Sequence, residues 1–215
     1  MTLDVPRLLY ADDVMLVLDK PAGLLSVPGR GEDKQDCLSA RVQREFSDAL
    51  IVHRLDMATS GLMVLARGSD AQRNLNDAFA NRAVSKRYIA VVDGLLAPPS
   101  GEWGLIDLPI IVDWPNRPLR IIDSQLGKPS QTRWRVLTHD PALCTTRVEL
   151  EPITGRSHQL RVHLLALGHA ILGDALYASP RVQAMSDRLL LHACALELPH
   201  PETGQIMQFI STETF

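Results

Sequence analysis

The stretch HRLDMATSG, residues 53–61, holds the residues best able to do chemistry. In an extended segment Arg54 and Asp56 project to one side, because side chains alternate with a period of two. Thr59, Ser60 and Gly61 can hydrogen-bond a turn behind them, and the apolar run Leu62 to Ala66 then reads as a buried strand. A charged pair at the lip of a buried strand has four readings. A metal site is poor, since only one histidine and one carboxylate are local. His158 and His163 lie about 140° apart around a helix and cannot share an ion. A serine hydrolase is poor too, because residues 155–159, GRSHQ, lack the final glycine of a nucleophile elbow. Two readings stay open on the residues alone. One is a structural Arg–Asp turn; the other makes Asp56 a nucleophile or base at a sugar or nucleobase, kept ionised by a guanidinium.

The elements that must carry this pair follow from periodicity. Residues 14–23, VMLVLDKPAG, predict a strand running into a tight turn at Pro21 and Gly23. Residues 26–36 predict a polar loop, whose Gly-x-Gly lacks the Gly-Lys-Ser/Thr of a phosphate loop. Leu38, Val42 and Phe46 predict a helix over 37–46, and Gly61–Arg67 predicts a strand. Ser69 as N-cap with Gln72 forms a capping box, opening a helix with the stripe Ala71, Leu75, Ala78 and Phe79. A strand over 85–94 follows, then loops at 96–104 and 113–118, where prolines forbid ladder donors. Trp134–Leu137 and Thr145–Leu150 predict a hairpin. A helix over 158–167 ends at Gly168, and 188–198 is the last clear strand. Strands outnumber helices and short links join several, so the expected fold is α+β, with a mixed, largely antiparallel sheet flanked by helices. With no repeat and no linker, residues 1–215 are expected to form a single domain.

Composition bounds the function. Of 215 residues, 46% are hydrophobic and 22% charged, which suits a globular protein with a real core. No apolar run reaches the roughly 18 residues of a membrane helix, and the start lacks the layout of a secretory signal. Cys37, Cys144 and Cys194 stand far apart, so a reducing cytoplasm is expected rather than a disulfide framework. The net charge of −3 speaks weakly against nucleic acid, but its distribution does not. Acids including Asp4, Asp12 and Asp33 dominate residues 1–36. Between 115 and 161 Arg117, Arg120, Lys128, Arg133, Arg135, Arg147, Arg156 and Arg161 outnumber the acids and could face phosphates.

Residues 53–67, HRLDMATSGLMVLAR, carry the pattern H-R-L-D-x-x-T-S-G, and on it the chain resembles the RluA-type pseudouridine synthases. Residues 19–29, DKPAGLLSVPG, resemble the first motif of that family, and 86–92, KRYIAVV, its tyrosine motif. Residues 152–174 resemble the third motif and 188–193, RLLLHA, the closing strand. SVPGR at 26–30, DWPNRP at 113–118 and YASP at 177–180 narrow the likeness to the small member that has no separate N-terminal RNA-binding domain. That member modifies uridines in the tRNA anticodon arm and in a 23S rRNA hairpin loop.

The resemblance implies a single catalytic domain with an active-site cleft across the sheet, acting on structured RNA as a cytoplasmic monomer without membrane, metal or cofactor. Uridine becomes pseudouridine when the C1′–N1 bond breaks, the base turns and C5 takes the place of N1; only the C5 proton is lost. Asp56 is then the nucleophile or base, through C1′, C6 or the C2′ proton. Arg161 is its arginine partner and Tyr88 stacks on the flipped base. Arg54 fills the vacated place in the RNA, since unstacking a base costs a few kcal/mol. Leu190 and Leu191 wall the pocket, and Arg117, Arg120 and Trp114 contact RNA. Two rivals remain: an RNA-binding module without turnover, and a nucleoside hydrolase, which would need a second carboxylate that no matched motif supplies.

Overall fold

The computed structural model describes residues 6–215; Asp4, with the rest of the first five positions, and the side chain of Asp33 lie outside the described residues. In chain order the elements are β1 (Arg7–Ala11), β2 (Met15–Lys20), a 3-10 turn (Glu32–Lys34), α1 (Leu38–Val42), β3 (Ala49–Ile51), β4 (Ser60–Arg67) and α2 (Ser69–Ala80). Then come β5 (Ser85–Asp93), β6 (Gly104–Asp107), β7 (Ile110–Val112), β8 (Arg120–Ile122), β9 (Gln131–Asp140), β10 (Thr145–Pro152), α3 (Gln159–Ala166), α4 (Pro180–Gln183), β11 (Leu191–Pro199) and β12 (Ile206–Ile210). The fold is α+β. The chain divides into two compact units, one made of residues up to 86 with 193–214, the other of 87–192 with Phe215.

In the first unit β1, β2, β4 and β11 lie in that order, with β3 paired to β4 and β12 to β11. The β1–β2, β2–β4, β3–β4 and β11–β12 ladders are antiparallel, and a single bridge from Leu25 to Cys37 is parallel. The β2–β4 register sets Val17 opposite Val64 and Leu18 opposite Met63. Met15, Val17, Leu62, Val64 and Ala66 pack with Ala71, Leu75 and Ala78 of α2 on one face. Leu16, Leu18, Met63 and Leu65 are buried on the other. Burial on both faces explains why Leu62–Ala66 is apolar without alternation. Gly61, the second residue of β4, has φ +112°, and a Cβ there would stand 2.3 Å from the carbonyl oxygen of Ala193. The glycine closing the HRLDMATSG stretch therefore lets two backbones touch.

Three readings of this unit shift. The α2 cap is Gly68, not Ser69, and it makes no side-chain cap. Gln72 therefore does not close a capping box; its amide donates to the Ile51 carbonyl at 2.9 Å and ties the helix to β3. The helix expected over 37–46 is regular only from Leu38 to Val42. A further strand, β12, follows β11.

In the second unit β5, β10, β9 and β6 form antiparallel neighbours, and β7 with β8 makes a separate two-stranded hairpin. The expected hairpin is present and longer, with β9 and β10 joined by residues 141–144. Helix α3 begins after His158, whose φ is +57°, and ends before Gly168 at φ +86°. Ala170, Leu172 and Val182 form a core with Val91, Ala178, Met185 and Leu190 packed against it. Among the described residues no helix is long and apolar enough to cross a membrane.

Candidate active site

Asp56 sits in an irregular stretch between β3 and β4, and neighbouring segments of the first unit fasten that stretch at His53, Leu55 and Met57. Exposure alternates: Arg54 is exposed, Leu55 buried at 7% and Asp56 half-buried. The alternation is what a two-residue period would give, with Arg54 and Asp56 more exposed than the anchored Leu55 between them. Ser26 grips Leu55 twice, its Oγ donating to the Leu55 carbonyl at 2.7 Å and accepting from the Leu55 N–H at 3.1 Å. Gly23 N–H donates to the Met57 carbonyl at 2.9 Å, and Thr59 N–H to the Asp56 carbonyl at 3.1 Å. His53 Nε2 accepts from the Val64 N–H of β4 at 3.0 Å, and its ring stacks on Phe79 with centroids 4.7 Å apart. Burial, aided by the charge of Lys86, pushes the His53 pKa down to about 3. The imidazole is therefore neutral, with its proton on Nδ1, and serves as an acceptor rather than a charge.

Lys20 closes this arrangement. It ends β2 with no exposed surface, and its ammonium donates to the carbonyls of Pro21 at 2.9 Å, Leu24 at 2.8 Å and Met57 at 3.1 Å. Burial lowers its pKa to about 8, while the negative charge of Asp56 works against that drop. A cation thus stands near the Asp56 carboxylate at neutral pH. Beyond the exposed Met57 a cleft of about 490 Å³ opens, lined by Pro21, Gly23, Lys34, Asp36 and Arg41 among others. That volume is within the range of small-molecule sites.

The second unit holds the remaining candidates. Tyr88 lies on β5 opposite Leu150 of β10 and is half-buried, whereas Ile89, Ala90 and Val92 beside it are buried. Arg161, on α3, is 3% exposed and makes a two-pronged ion pair with Asp174: its Nε donates to Oδ2 at 2.8 Å and its Nη2 to Oδ1 at 2.5 Å. Leu190 is half-buried, with Val91 N–H donating to its carbonyl at 3.1 Å, and Leu191 is 3% exposed at the start of β11.

The candidate RNA-contact residues occupy the β7–β8 hairpin. Trp114 is 65% exposed, with the Arg117 guanidinium 4.6 Å above its ring. Arg117 also donates to the Trp114 carbonyl at 3.2 Å. The Arg120 guanidinium turns onto the carbonyls of Pro118 and Leu119 at 2.8 and 3.0 Å. Much of the basic middle of the chain meets acids. Arg133 pairs with Glu151, and Arg135 with Glu149 and Glu102, while Arg87, Arg133 and Arg135 surround Trp103. Arg54, by contrast, has no ion-pair partner among the described residues.

Sequence reasoning passed over Lys20, Ser26 and Asp174. A lysine closing an apolar strand was the available signal for Lys20. Nothing local marks Ser26, whose partners lie far along the chain. Asp174 was legible only as the end of the third motif.

Residues 14–166 match the family model for RNA pseudouridylate synthase. The chain is 52% identical over 208 residues to the dual-specificity RNA pseudouridine synthase RluA of Escherichia coli (strain K12), covering 97% of this chain and 93% of that protein. It is 52% identical over 201 residues to the protein of the same name from Yersinia pestis, covering 94% and 96%. Among solved structures, human RNA pseudouridylate synthase domain containing 1 matches with a TM-score of 0.78 at 28% identity, covering 98% of this chain and 84% of that one. Human RNA pseudouridylate synthase domain containing 4 matches at 0.74 and 27%, covering 96% and 88%.

Proposed function

The chain belongs to the RNA pseudouridylate synthase family and is an RNA pseudouridine synthase, an isomerase; from that premise we propose that Asp56 performs the chemistry on uridines in the tRNA anticodon arm and a 23S rRNA hairpin loop. The observation that carries the assignment of Asp56 is its setting: a half-buried carboxylate beside a buried ammonium, on a segment that Lys20, Ser26, Gly23 and His53 hold in place. Such fixing keeps a reacting group near its productive geometry without reorganisation during the reaction. The dual specificity of the relatives from Escherichia coli and Yersinia pestis supports the two RNA targets.

In this reading the carboxylate attacks C1′ or C6, or takes the C2′ proton; the glycosidic bond from C1′ to N1 breaks, the base turns, C5 joins C1′ as any bond to the carboxylate is released, and C5 loses its proton while N1 takes one up. Tyr88 stacks on the flipped base and Arg161 supports the negative charge of Asp56. Leu190 and Leu191 provide apolar wall, and a dry wall strengthens each charge interaction within the site. Arg54, exposed on the same side as Asp56 and without an ion-pair partner among the described residues, takes the place of the extruded base. Trp114, Arg117 and Arg120 contact the RNA, the first by stacking and the others through phosphates. Residues 1–215 are proposed to act as one catalytic domain. The enzyme is proposed to work as a monomer, without metal or cofactor, in the cytoplasm, where the free thiols of Cys37, Cys144 and Cys194 are stable.

Mapping pseudouridine in cellular tRNA and 23S rRNA, with and without the gene, tests the targets. Loss of one modified position in each RNA class is the expected result. Loss in one class alone would remove the dual specificity, and unchanged maps would remove both targets.

A further inference from the structure

The second unit contains a polar network around Arg161 whose members Asp174, Tyr177 and His158 are used by no step of the proposed reaction. Asp174 is 1% exposed and accepts four hydrogen bonds. Two come from the Arg161 guanidinium, and two from the backbone N–H groups of Leu176 at 2.9 Å and Tyr177 at 3.1 Å, all but one of which fall on Oδ1. The turn that presents it is tightly built: Gly173 has φ +71°, and a Cβ there would stand 1.9 Å from the Arg188 carbonyl oxygen. Tyr177 extends the network in two directions. Its hydroxyl lies 2.6 Å from His158 Nδ1 and accepts the backbone N–H of Arg120 at 2.9 Å. The Arg161 guanidinium also lies over the Tyr177 ring, 5.0 Å from its centroid. Burial raises the Tyr177 pKa, so the phenol keeps its proton and can donate it to His158.

Each contact falls at a telling place. His158 is the N-cap of α3, three residues before Arg161, and carries a left-handed backbone that a bare cap would not favour. Arg120 opens β8 of the exposed hairpin that bears Trp114 and Arg117. One tyrosine hydroxyl therefore joins the start of the arginine-bearing helix to that hairpin, while the adjoining carboxylate fixes the guanidinium itself.

We infer that Asp174 and Tyr177 are positioning residues for Arg161, and that through the Tyr177 hydroxyl the seating of RNA on the β7–β8 hairpin is passed to the Arg161 guanidinium. The inference rests on the reading of Arg161 as a group that acts on the reacting site. A bidentate, charge-assisted pair fixes both distance and plane of a guanidinium, whereas a single contact leaves it free to rotate. Misplacement by about 1 Å is enough to cost on the order of a hundredfold in rate.

The test is a double-mutant cycle on single-turnover tritium release from a C5-labelled anticodon stem-loop, with affinity measured in parallel. Tyr177→Phe removes one hydroxyl and keeps the packing; Asp174→Asn keeps the shape and loses the charge. Both should lower the single-turnover rate about ten- to a hundredfold while leaving Kd near that of wild type. In an Arg161→Met background neither should lower the rate further, because the residue they position is gone. Equal losses with and without Arg161 would show a general structural role and overturn the inference, as would wild-type rates in both variants. Should Asp174→Asn fail to fold, Tyr177→Phe alone decides the matter. Arg161→Met with a wild-type rate would instead remove the catalytic reading of Arg161, a failure distinguishable because it is seen in that variant by itself.

Discussion

The Asp56 segment and the β7–β8 hairpin are both irregular or short, both carry arginine, and both are assigned to the same RNA substrate, yet they are built in opposite ways. The first is fastened from outside. A buried lysine, a buried serine hydroxyl, a glycine N–H and a neutral histidine hold residues 53–59 against β2 and β4. The hairpin's polar side chains are satisfied largely from within, with Arg117 on Trp114, Arg120 on Pro118 and Leu119, and Asn116 on Asp113. Ties at its base run from the Arg120 N–H to Tyr177 and, through a pair of backbone bonds, between Ile110 and Lys128. Bond making and breaking needs atoms held to fractions of an ångström, whereas a surface that meets a flexible loop of RNA gains from exposed, adaptable contacts.

Removing the lysine breaks this contrast most severely. Lys20→Met strips a donor from three carbonyls, and buried acceptors left unmet cost about 1–3 kcal/mol each. A loss of about 3 kcal/mol is expected, since Met57 keeps its bond from Gly23. Trp114→Ala in the hairpin should change stability by no more than about 0.5 kcal/mol, as its side chain is mostly exposed. Urea midpoints measured at constant m-value check both, and similar losses would erase the distinction.

Arg54 is the point where the two kinds of region overlap, an exposed cation on a fastened segment. Arg54→Ala should bind an abasic stem-loop nearly as wild type does, yet act about a hundredfold more slowly on an intact one, as the few kcal/mol of unstacking go uncompensated. Single-turnover rates and titrations on the two RNAs measure this. Equal losses of affinity on both would make Arg54 simply another group that binds phosphate.

His53 gives the fastened segment a pH signature. Its folded pKa of about 3 lies below the ordinary 6.5. Between these values the unfolded chain binds the extra proton, so stability falls as pH drops through that window, by at most about 1.4 kcal/mol per unit. Replacing the ring by His53→Gln should flatten this slope in denaturation curves taken at several pH values. An unchanged slope would mean that other groups carry it.

The smallest effect belongs to the hairpin. Arg117→Glu should reduce the slope of log affinity against log salt by about 0.7–0.9 for each phosphate that is no longer neutralised. Arg120→Glu should do less, because its guanidinium already serves two carbonyls. Salt titrations of stem-loop binding decide the order of the two.

What could be read from the chain follows the same division. Local patterns carried far: the buried strand after HRLDMATSG, the turn at Pro21 and Gly23, and the stripe of α2 are all present. Gly68 displaced Ser69 as the cap because the chain turns with positive φ just before the helix, a geometry Ser69 would adopt only under strain. Strands β7 and β8 were hidden because three-residue strands between prolines leave little periodicity to detect. The basic stretch was visible as a composition, but its pairing was not. Glu149 faces Arg135 only through the β9–β10 register. Lys20, Ser26 and Asp174 owe their importance to partners brought near by folding, and no local spacing encodes such partners.

Asp56 is the group on which all of the proposed chemistry depends. Purified protein and its Asp56→Asn variant can be mixed in excess with a stem-loop labelled with tritium at C5 of uridine, following tritium release, pseudouridine formed and RNA binding together. Wild type should release tritium in step with pseudouridine, and the variant should bind the RNA with similar affinity but release almost none, because an amide keeps the shape and loses the charge and nucleophilicity. Tritium release by Asp56→Asn at a rate comparable to wild type would contradict the assignment.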